Sequence, residues 1–250
     1  MSSPISILVV RRETSFSQLL QQAGCSVTNV EMIATEPLDD LSELAARMAG
    51  LDQYHGLFFT SPAAAEVFVS RLDGARGAAL PPVYVLGGRA SEAMRDAGLD
   101  VRTSTQANTA EELINSFEAA EFAGKRFLFV RGERSLDTIP RLIERVATVD
   151  QLCVYRTLEC TPDPATLATV TERLGSAEFD WVCFFSPSGV ERAMALFGNV
   201  LNKRVQIAAI GASTAAAAEK LIGRQPEFVS ASSSSEDFAK GLLEHIKHID

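Results

Sequence analysis

The chain has 250 residues, of which 46% are hydrophobic and 22% charged. That is the length of one large domain or two small ones, and the apolar content excludes disorder as the main character of the chain. Lys and Arg number 23 against 32 Asp and Glu, a formal charge of −9, which argues against a broad basic surface for nucleic acid or an anionic membrane but not against a locally basic cleft.

The apolar runs are strand-sized, so no transmembrane span is expected. The opening Met1-Ser2-Ser3-Pro4-Ile5 has no basic n-region and no long apolar core, so no signal peptide is expected and the protein is read as cytoplasmic. Cys25, Cys153, Cys160 and Cys183 lack CxxC spacing and sit in or beside apolar segments, which points to buried, reduced thiols. His55 stands alone, and His245 and His248 fall on a polar helix near the C-terminus where solvent would reach them, so no metal site is expected.

Short apolar runs alternate with helical patterns from the start. A strand is predicted over 5–10 and then a helix over 16–23 with Phe16, Leu19, Leu20 and Ala23 on one face, stopped by Gly24. Further strands are predicted over 27–34, 56–60, 83–86, 101–103, 127–130, 148–155, 181–185, 207–210 and 227–229. Most are apolar throughout rather than alternating, as strands buried on both faces of a parallel sheet are. The fold class is therefore α/β, with helices on both sides of open sheets.

The chain also repeats itself. Leu57-Phe58-Phe59-Thr60-Ser61-Pro62 aligns with Val182-Cys183-Phe184-Phe185-Ser186-Pro187 at an offset of 125, Val85-Leu86-Gly87 with Ala209-Ile210-Gly211 at 124, and Ile7-Leu8-Val9-Val10-Arg11 with Phe127-Leu128-Phe129-Val130-Arg131 at 120. Three ordered matches imply two similar α/β units. Two such domains facing each other would leave a cleft, a favoured place for a ligand.

Motifs that would carry familiar chemistry are absent. There is no GxGxxG after the first strand, no GxxxxGK[ST], no GxSxG and no convincing HxH or DxD cluster. What remains are strand-to-helix turns rich in Ser, Thr and Gly: Thr60-Ser61-Pro62, Gly87-Gly88-Arg89, Phe185-Ser186-Pro187-Ser188-Gly189 and Gly211-Ala212-Ser213-Thr214. Ser186 or Ser188 suits a helix cap and Pro187 an early helical position. Each turn offers free backbone N–H groups and the positive end of a helix dipole at the carboxyl edge of a sheet, where anionic oxygens bind, although plain capping accounts for any one turn alone. Arg11 and Arg131 stand at equivalent places in the two units and suit bidentate pairing with carboxylates, or surface ion pairs with acidic neighbours. Tyr155 ends a strand. The run Ser232-Ser233-Ser234-Ser235-Glu236-Asp237 suits a loop and helix cap that could border a ligand.

Together these blocks resemble the uroporphyrinogen-III synthase family. The matching pieces run the length of the chain: Ile7-Leu8-Val9-Val10-Arg11, Phe59-Thr60-Ser61-Pro62, Phe129-Val130-Arg131-Gly132, Val154-Tyr155-Arg156-Thr157, and, most specifically, Phe184-Phe185-Ser186-Pro187-Ser188-Gly189-Val190 followed by Ala208-Ala209-Ile210-Gly211-Ala212-Ser213-Thr214. The resemblance implies two α/β domains of flavodoxin- or Rossmann-like layering joined by a two-stranded linker: residues 1–34 with 162–250, residues 38–154, and linkers at 35–37 and 155–161. It implies closure of linear hydroxymethylbilane to uroporphyrinogen III with loss of water and inversion of ring D through a spiro intermediate, with no cofactor and no metal. Such a reaction is controlled by positioning more than by acid–base machinery.

By the same resemblance Tyr155 assists departure of the hydroxyl, a task a phenol can perform as a weak general acid. Ser186, Ser188, Gly189, Ser213 and Thr214 would contact substrate carboxylates, with Thr60, Ser61, Arg11, Arg131 and Gly132 as further contacts. Where the family often has polar or branched residues after the first turn, this chain has Ala63-Ala64-Ala65. The expected partner is the small-molecule bilane, with no nucleic acid, no membrane and a monomeric chain. The competing reading is a two-lobed, non-catalytic module for a small polyanion. A nucleotide-dependent transferase is disfavoured by the missing phosphate loop.

Overall fold

In the computed structural model, residues 4–72, 80–104, 106–201, 204–232 and 234–248 are described. The opening Met1-Ser2-Ser3 and Ser233 of the serine run lie outside them. The chain divides into two compact units, one built from residues 1–34 and 158–250 and the other from residues 35–157.

The first unit holds a five-stranded sheet of β1 (Ser6–Val9), β2 (Ser26–Asn29), β9 (Trp181–Phe184), β10 (Gln206–Ala209) and β11 (Phe228–Val229), in the order β11-β10-β9-β1-β2. Every pairing is parallel, with Ile7 opposite Val27 on one side and Trp181 on the other. Successive strand residues point to opposite faces, so a continuously apolar strand feeds two cores. Leu8, Val10, Val182, Phe184 and Ile207 pack on α7 (Pro164–Gly175), α8 (Pro187–Phe197) and α9 (Ala212–Ile222) through Val170, Leu174, Val190, Phe197 and Ala218. Their neighbours Ile7, Val9, Trp181, Cys183 and Ala208 pack on α1 (Ser15–Gln22) and α10 (Ser235–Lys247) through Phe16, Leu20, Phe238, Leu242 and Ile246. Burying each large side chain contributes roughly 1.5–3 kcal/mol.

The second unit holds a six-stranded sheet of β3 (Ile33–Pro37), β4 (Gly56–Phe59), β5 (Val83–Val85), β6 (Val101–Arg102), β7 (Arg126–Gly132) and β8 (Thr148–Glu159), in the order β3-β8-β7-β4-β5-β6. Leu57, Phe59, Val83, Val85, Leu128 and Val130 share a core with α2 (Ser42–Met48), α3 (Pro62–Val69) and α4 (Gly88–Asp96). Phe58, Tyr84, Phe127 and Phe129 form the opposite core with Phe122, α5 (Ala110–Asn115) and α6 (Thr138–Ile143). Strands β4 to β8 pair in parallel. Beside them, β3 runs against β8, since Leu38 donates to the Val154 carbonyl and Cys160 to the Met32 carbonyl.

The repeated blocks occupy matching sheet positions. β9, β10 and β1 stand in the order β10-β9-β1, and their counterparts β4, β5 and β7 in the order β5-β4-β7.

Three expectations change. The single strand predicted over 27–34 is two strands, because the chain leaves the first sheet after Asn29 and enters the second at Ile33. Val30 and Met32 in the connection are buried, so the apolar run continues where the strand does not. Of the four cysteines, all free, only Cys183 is buried and the other three are partly exposed. His245 is not simply solvated, for its ring packs 5.8 Å from Trp181 and 5.3 Å from Phe228.

Candidate functional site

The strand-to-helix turns form as their chemistry dictates. At the end of β9, Ser186 is extended, Pro187 takes the first helical position, and the Ser186 hydroxyl accepts from Gly189 N–H at 3.1 Å. Its oxygen also lies 3.1 Å from the Ser188 hydroxyl, so the two share a proton-bearing edge beside the helix start. Gly189 is buried, and a Cβ on it would come within 3.3 Å of that same Ser186 oxygen. At the end of β10, Gly211 leads into α9, where Ser213 is exposed in the first turn and Thr214 is buried at 2% exposure. No described residue hydrogen-bonds to the Thr214 hydroxyl.

Arg11 follows β1 in the same unit. Its guanidinium stacks 4.5 Å over the Phe185 ring and donates to the Ser235 hydroxyl at 3.3 Å, the first residue of α10. The Asn29 amide holds this loop by donating to the Arg11 carbonyl at 3.2 Å and to buried Ser17 at 2.7 Å. The cation is thereby held over the residue before Ser186 by Phe185 and the start of α10, and its loop is held by the end of β2. Phe185, Ser235 and Asn29 were not singled out from the sequence for this role. The serine run gave the one usable signal, since Ser234 accepts from Asp237 N–H and Glu236 and Asp237 fill the first turn of α10 as read.

In the other unit, Ser61 is extended ahead of Pro62 at the start of α3, but its hydroxyl makes no capping hydrogen bond; Thr60 is half-buried. Gly87 opens α4 at φ 91, a left-handed conformation that favours glycine. Arg131 has its guanidinium turned into its own turn: Asp137, the Gln151 amide oxygen and the Ser135 carbonyl all accept from it, and so does the Gly132 carbonyl at 3.4 Å. Its side chain is 14% exposed.

Gly132 and Tyr155 meet directly. They are opposed in the β7–β8 ladder at a bulge, and a Cβ on Gly132 would fall 2.2 Å from Cζ of the tyrosine ring. Tyr155 is 9% exposed, its ring part of the core and its hydroxyl without a hydrogen bond to any described residue. Among the described residues no group of His, Cys, Asp and Glu is arranged to hold a metal ion.

The model of the family described as uroporphyrinogen-III synthase HemD matches residues 14–247. The chain belongs to the uroporphyrinogen-III synthase family. A curated uroporphyrinogen-III synthase from Chlorobaculum parvum is 29% identical over 252 residues, covering 97% of this chain and 99% of that protein. A crystal structure of a mutant uroporphyrinogen III synthase from Thermus thermophilus shares the fold with a TM-score of 0.65 at 20% identity, covering 98% of this chain and 99% of that one. The uroporphyrinogen-III synthetase of Helicobacter pylori does so with a TM-score of 0.58 at 16% identity, covering 96% and 99%. The family assignment makes the chain a cyclising hydro-lyase of haem biosynthesis and sets aside the non-catalytic module.

Proposed function

We propose that this chain closes hydroxymethylbilane to uroporphyrinogen III. The carbon–oxygen bond of the hydroxymethyl group breaks with electron push from its pyrrole, the departing oxygen leaves as water, and the carbon left behind bonds to the substituted position of ring D. The bond that first joined ring D to its neighbour then breaks at the spiro centre, the freed carbon bonds to the unsubstituted α position of ring D, and that position loses its proton to restore the pyrrole, leaving ring D inverted. Tyr155 is the proposed proton donor to the departing hydroxyl, and the observation that carries this role is its phenol lying over Gly132 with no hydrogen bond to any described residue. A group so placed is available to substrate.

The bilane carries carboxylates along its whole length. Helix N-termini hold them without adding net charge to a chain at −9. We assign Ser186, Ser188, Gly189, Ser213 and Thr214 to this task in one unit, with Arg11 as the charged partner, and Thr60 and Ser61 in the other. The reaction uses no cofactor in this reading, and the chain acts as a cytoplasmic monomer. No helix among the described residues is long and apolar enough to cross a membrane.

The test is an assay with freshly prepared hydroxymethylbilane, followed by oxidation and separation of the uroporphyrin isomers. Isomer III as the main product, formed faster than spontaneous isomer I, is the expected result. Isomer I alone at the background rate would overturn the assignment and favour a polyanion-binding module.

A further inference from the structure

The residue that ends β7, Gly132, lies directly against the Tyr155 ring. Three observations converge on it. The ladder between β7 and β8 slips at its end, so that Arg131 lies opposite Cys153 but Gly132 lies opposite Tyr155, with Val154 skipped. Such bulges re-aim a side chain. The hydroxyl-bearing end of the ring rests on the bare Cα of Gly132, where a Cβ would be 2.2–2.6 Å from Cζ, Cε1 and Cε2. Tyr155 is buried as part of the core cluster that includes Val130 and Val154.

The peptide of Gly132 is in turn strapped from both sides by Ser135. The Gly132 N–H donates to the Ser135 hydroxyl at 3.0 Å, and the Ser135 N–H donates to the Gly132 carbonyl at 3.1 Å. Arg131 closes the strap, donating to the carbonyls of both Gly132 and Ser135 while Asp137 and Gln151 take its outer nitrogen. Glu133 N–H donates to the Tyr155 carbonyl at 3.0 Å, pinning the backbone that carries the ring. A guanidinium offers five N–H donors, and this one makes three bonds inside the turn and a fourth to Gln151 of β8. A cation so engaged is poorly placed to take a substrate carboxylate.

We propose that Ser135 and Arg131 are positioning residues for Tyr155, acting through Gly132, and that Arg131 is not a carboxylate ligand. The inference rests on the role given to Tyr155 above. Ser135 orients the Gly132 peptide, that peptide is the floor under the ring, and the ring holds the phenolic oxygen where the departing hydroxyl must be met.

Gly132→Ala is the obvious variant, but its methyl group would overlap the ring and could unfold the unit. Ser135→Ala removes the side-chain half of the strap, the bond from Gly132 N–H, without adding bulk and leaves the backbone half in place. In the full chain, Tyr155→Phe is expected to lower kcat about tenfold to a hundredfold, at or below the low end of general acid catalysis, as suits a weak acid assisting a leaving group already pushed by pyrrole. Ser135→Ala is expected to lower kcat about tenfold, short of the hundredfold that a full 1 Å misplacement can cost. KM should stay within about twofold, since ground-state binding is not removed. Ser135→Thr, which keeps the hydroxyl, should restore most of the rate. The deciding measurement is the double variant: with Phe at 155, Ser135→Ala should slow turnover no further. The same loss in both backgrounds would overturn the inference, as would an unchanged kcat for a folded Ser135→Ala. A Tyr155→Phe chain that turns over normally would remove the role of Tyr155 itself. That outcome is seen without touching Ser135.

Discussion

Thr214 shows what a single buried hydroxyl can mean in this fold. It stands in the first turn of α9, 2% exposed, with no described residue hydrogen-bonded to its oxygen. The side chain is buried, yet its oxygen is not among the fully enclosed polar atoms left without a partner, so the hydroxyl carries no structural bond within the described residues and no full burial penalty. Valine has nearly the same shape and breaks no hydrogen bond to a described residue, so Thr214→Val should leave the melting temperature within a few degrees of the parent. If the hydroxyl meets a substrate carboxylate, its loss removes a hydrogen bond to a charged group, about 1.5–3 kcal/mol. Uroporphyrinogen III binding, measured by calorimetry, should then weaken about tenfold to a hundredfold. A large fall in melting temperature with unchanged affinity would make Thr214 a packing residue. Ser186 is a different case. Its oxygen already accepts from Gly189 N–H and contacts the Ser188 hydroxyl, so it both closes the helix and faces the turn. Arg131 differs again, as a strand-end arginine equivalent to Arg11 in the sequence whose donors are spent on its own turn and on Gln151 of β8. Sequence position made the two arginines look alike. Only the surroundings, Phe185 and Ser235 for one and Ser135, Asp137 and Gln151 for the other, separate them.

At the scale of elements, the start of β8 is fastened by one carboxylate. Asp150 accepts from the Tyr54 hydroxyl at 2.8 Å, from Arg126 at 2.7 and 3.0 Å, and from Arg47 of α2 at 3.0 Å. Burial pushes its carboxyl upward, but the bonds from Tyr54 and Arg126 and the charges of Arg126 and Arg47 outweigh burial and hold it below its ordinary value. A carboxyl lowered in the folded state adds stability that is complete above its unfolded value, about 3.9, and that is lost as pH falls through the folded value. Asp150→Asn should therefore cost about 1–3 kcal/mol near neutral pH, a fall of about 2–4 °C in Tm for each kcal/mol. The gap between variant and parent should narrow as pH falls below about 4. A gap that stays constant from neutral to acid would mean that the charge of Asp150 contributes nothing.

The elements themselves were largely legible. Strands β4, β9 and β10 are short, apolar and bounded by turn residues, and Pro62, Pro187 and Gly24 mark the helix ends they were expected to mark. The break between β2 and β3 was not legible, because Val30 and Met32 stay apolar through the connection and periodicity carries no label for which sheet a strand joins. The Gly132 platform was equally hidden. A glycine after a strand signals a turn, but its contact with Tyr155 joins residues far apart in sequence through a ladder slip that no local pattern encodes.

The arrangement of the whole chain explains both what the repeats revealed and what they hid. Equivalent blocks lie at equivalent sheet positions, yet β1 and β2 complete a sheet begun by β9, β10 and β11, while β7 and β8 complete the one begun by β4, β5 and β6. Repeat matching preserves sheet order under such a permutation but does not say which copy of a strand joins which sheet. One consequence is measurable. Each hydrophobic core draws its residues from one unit alone: Phe58, Phe127 and Ile139 belong to residues 35–157, while Leu8, Phe184 and Phe197 belong to residues 1–34 and 158–250. Damage to one core should then remain in its own unit, as in proteins that open by separate cooperative parts. Phe58 is the place to cause it, fully buried with ring centroids of Tyr84 and Phe127 at 5.0 and 5.2 Å. Phe58→Ala should cost about 3–5 kcal/mol by leaving a cavity. Hydrogen exchange read strand by strand should show amides of β4 and β7 exchanging faster by about a hundredfold or more, since 1.4 kcal/mol is about a factor of ten. Those of β9 and β10 should keep their parental rates. Equal acceleration in both sheets would mean that the chain unfolds as one cooperative whole, with stability shared between two units whose cores are built from separate residues.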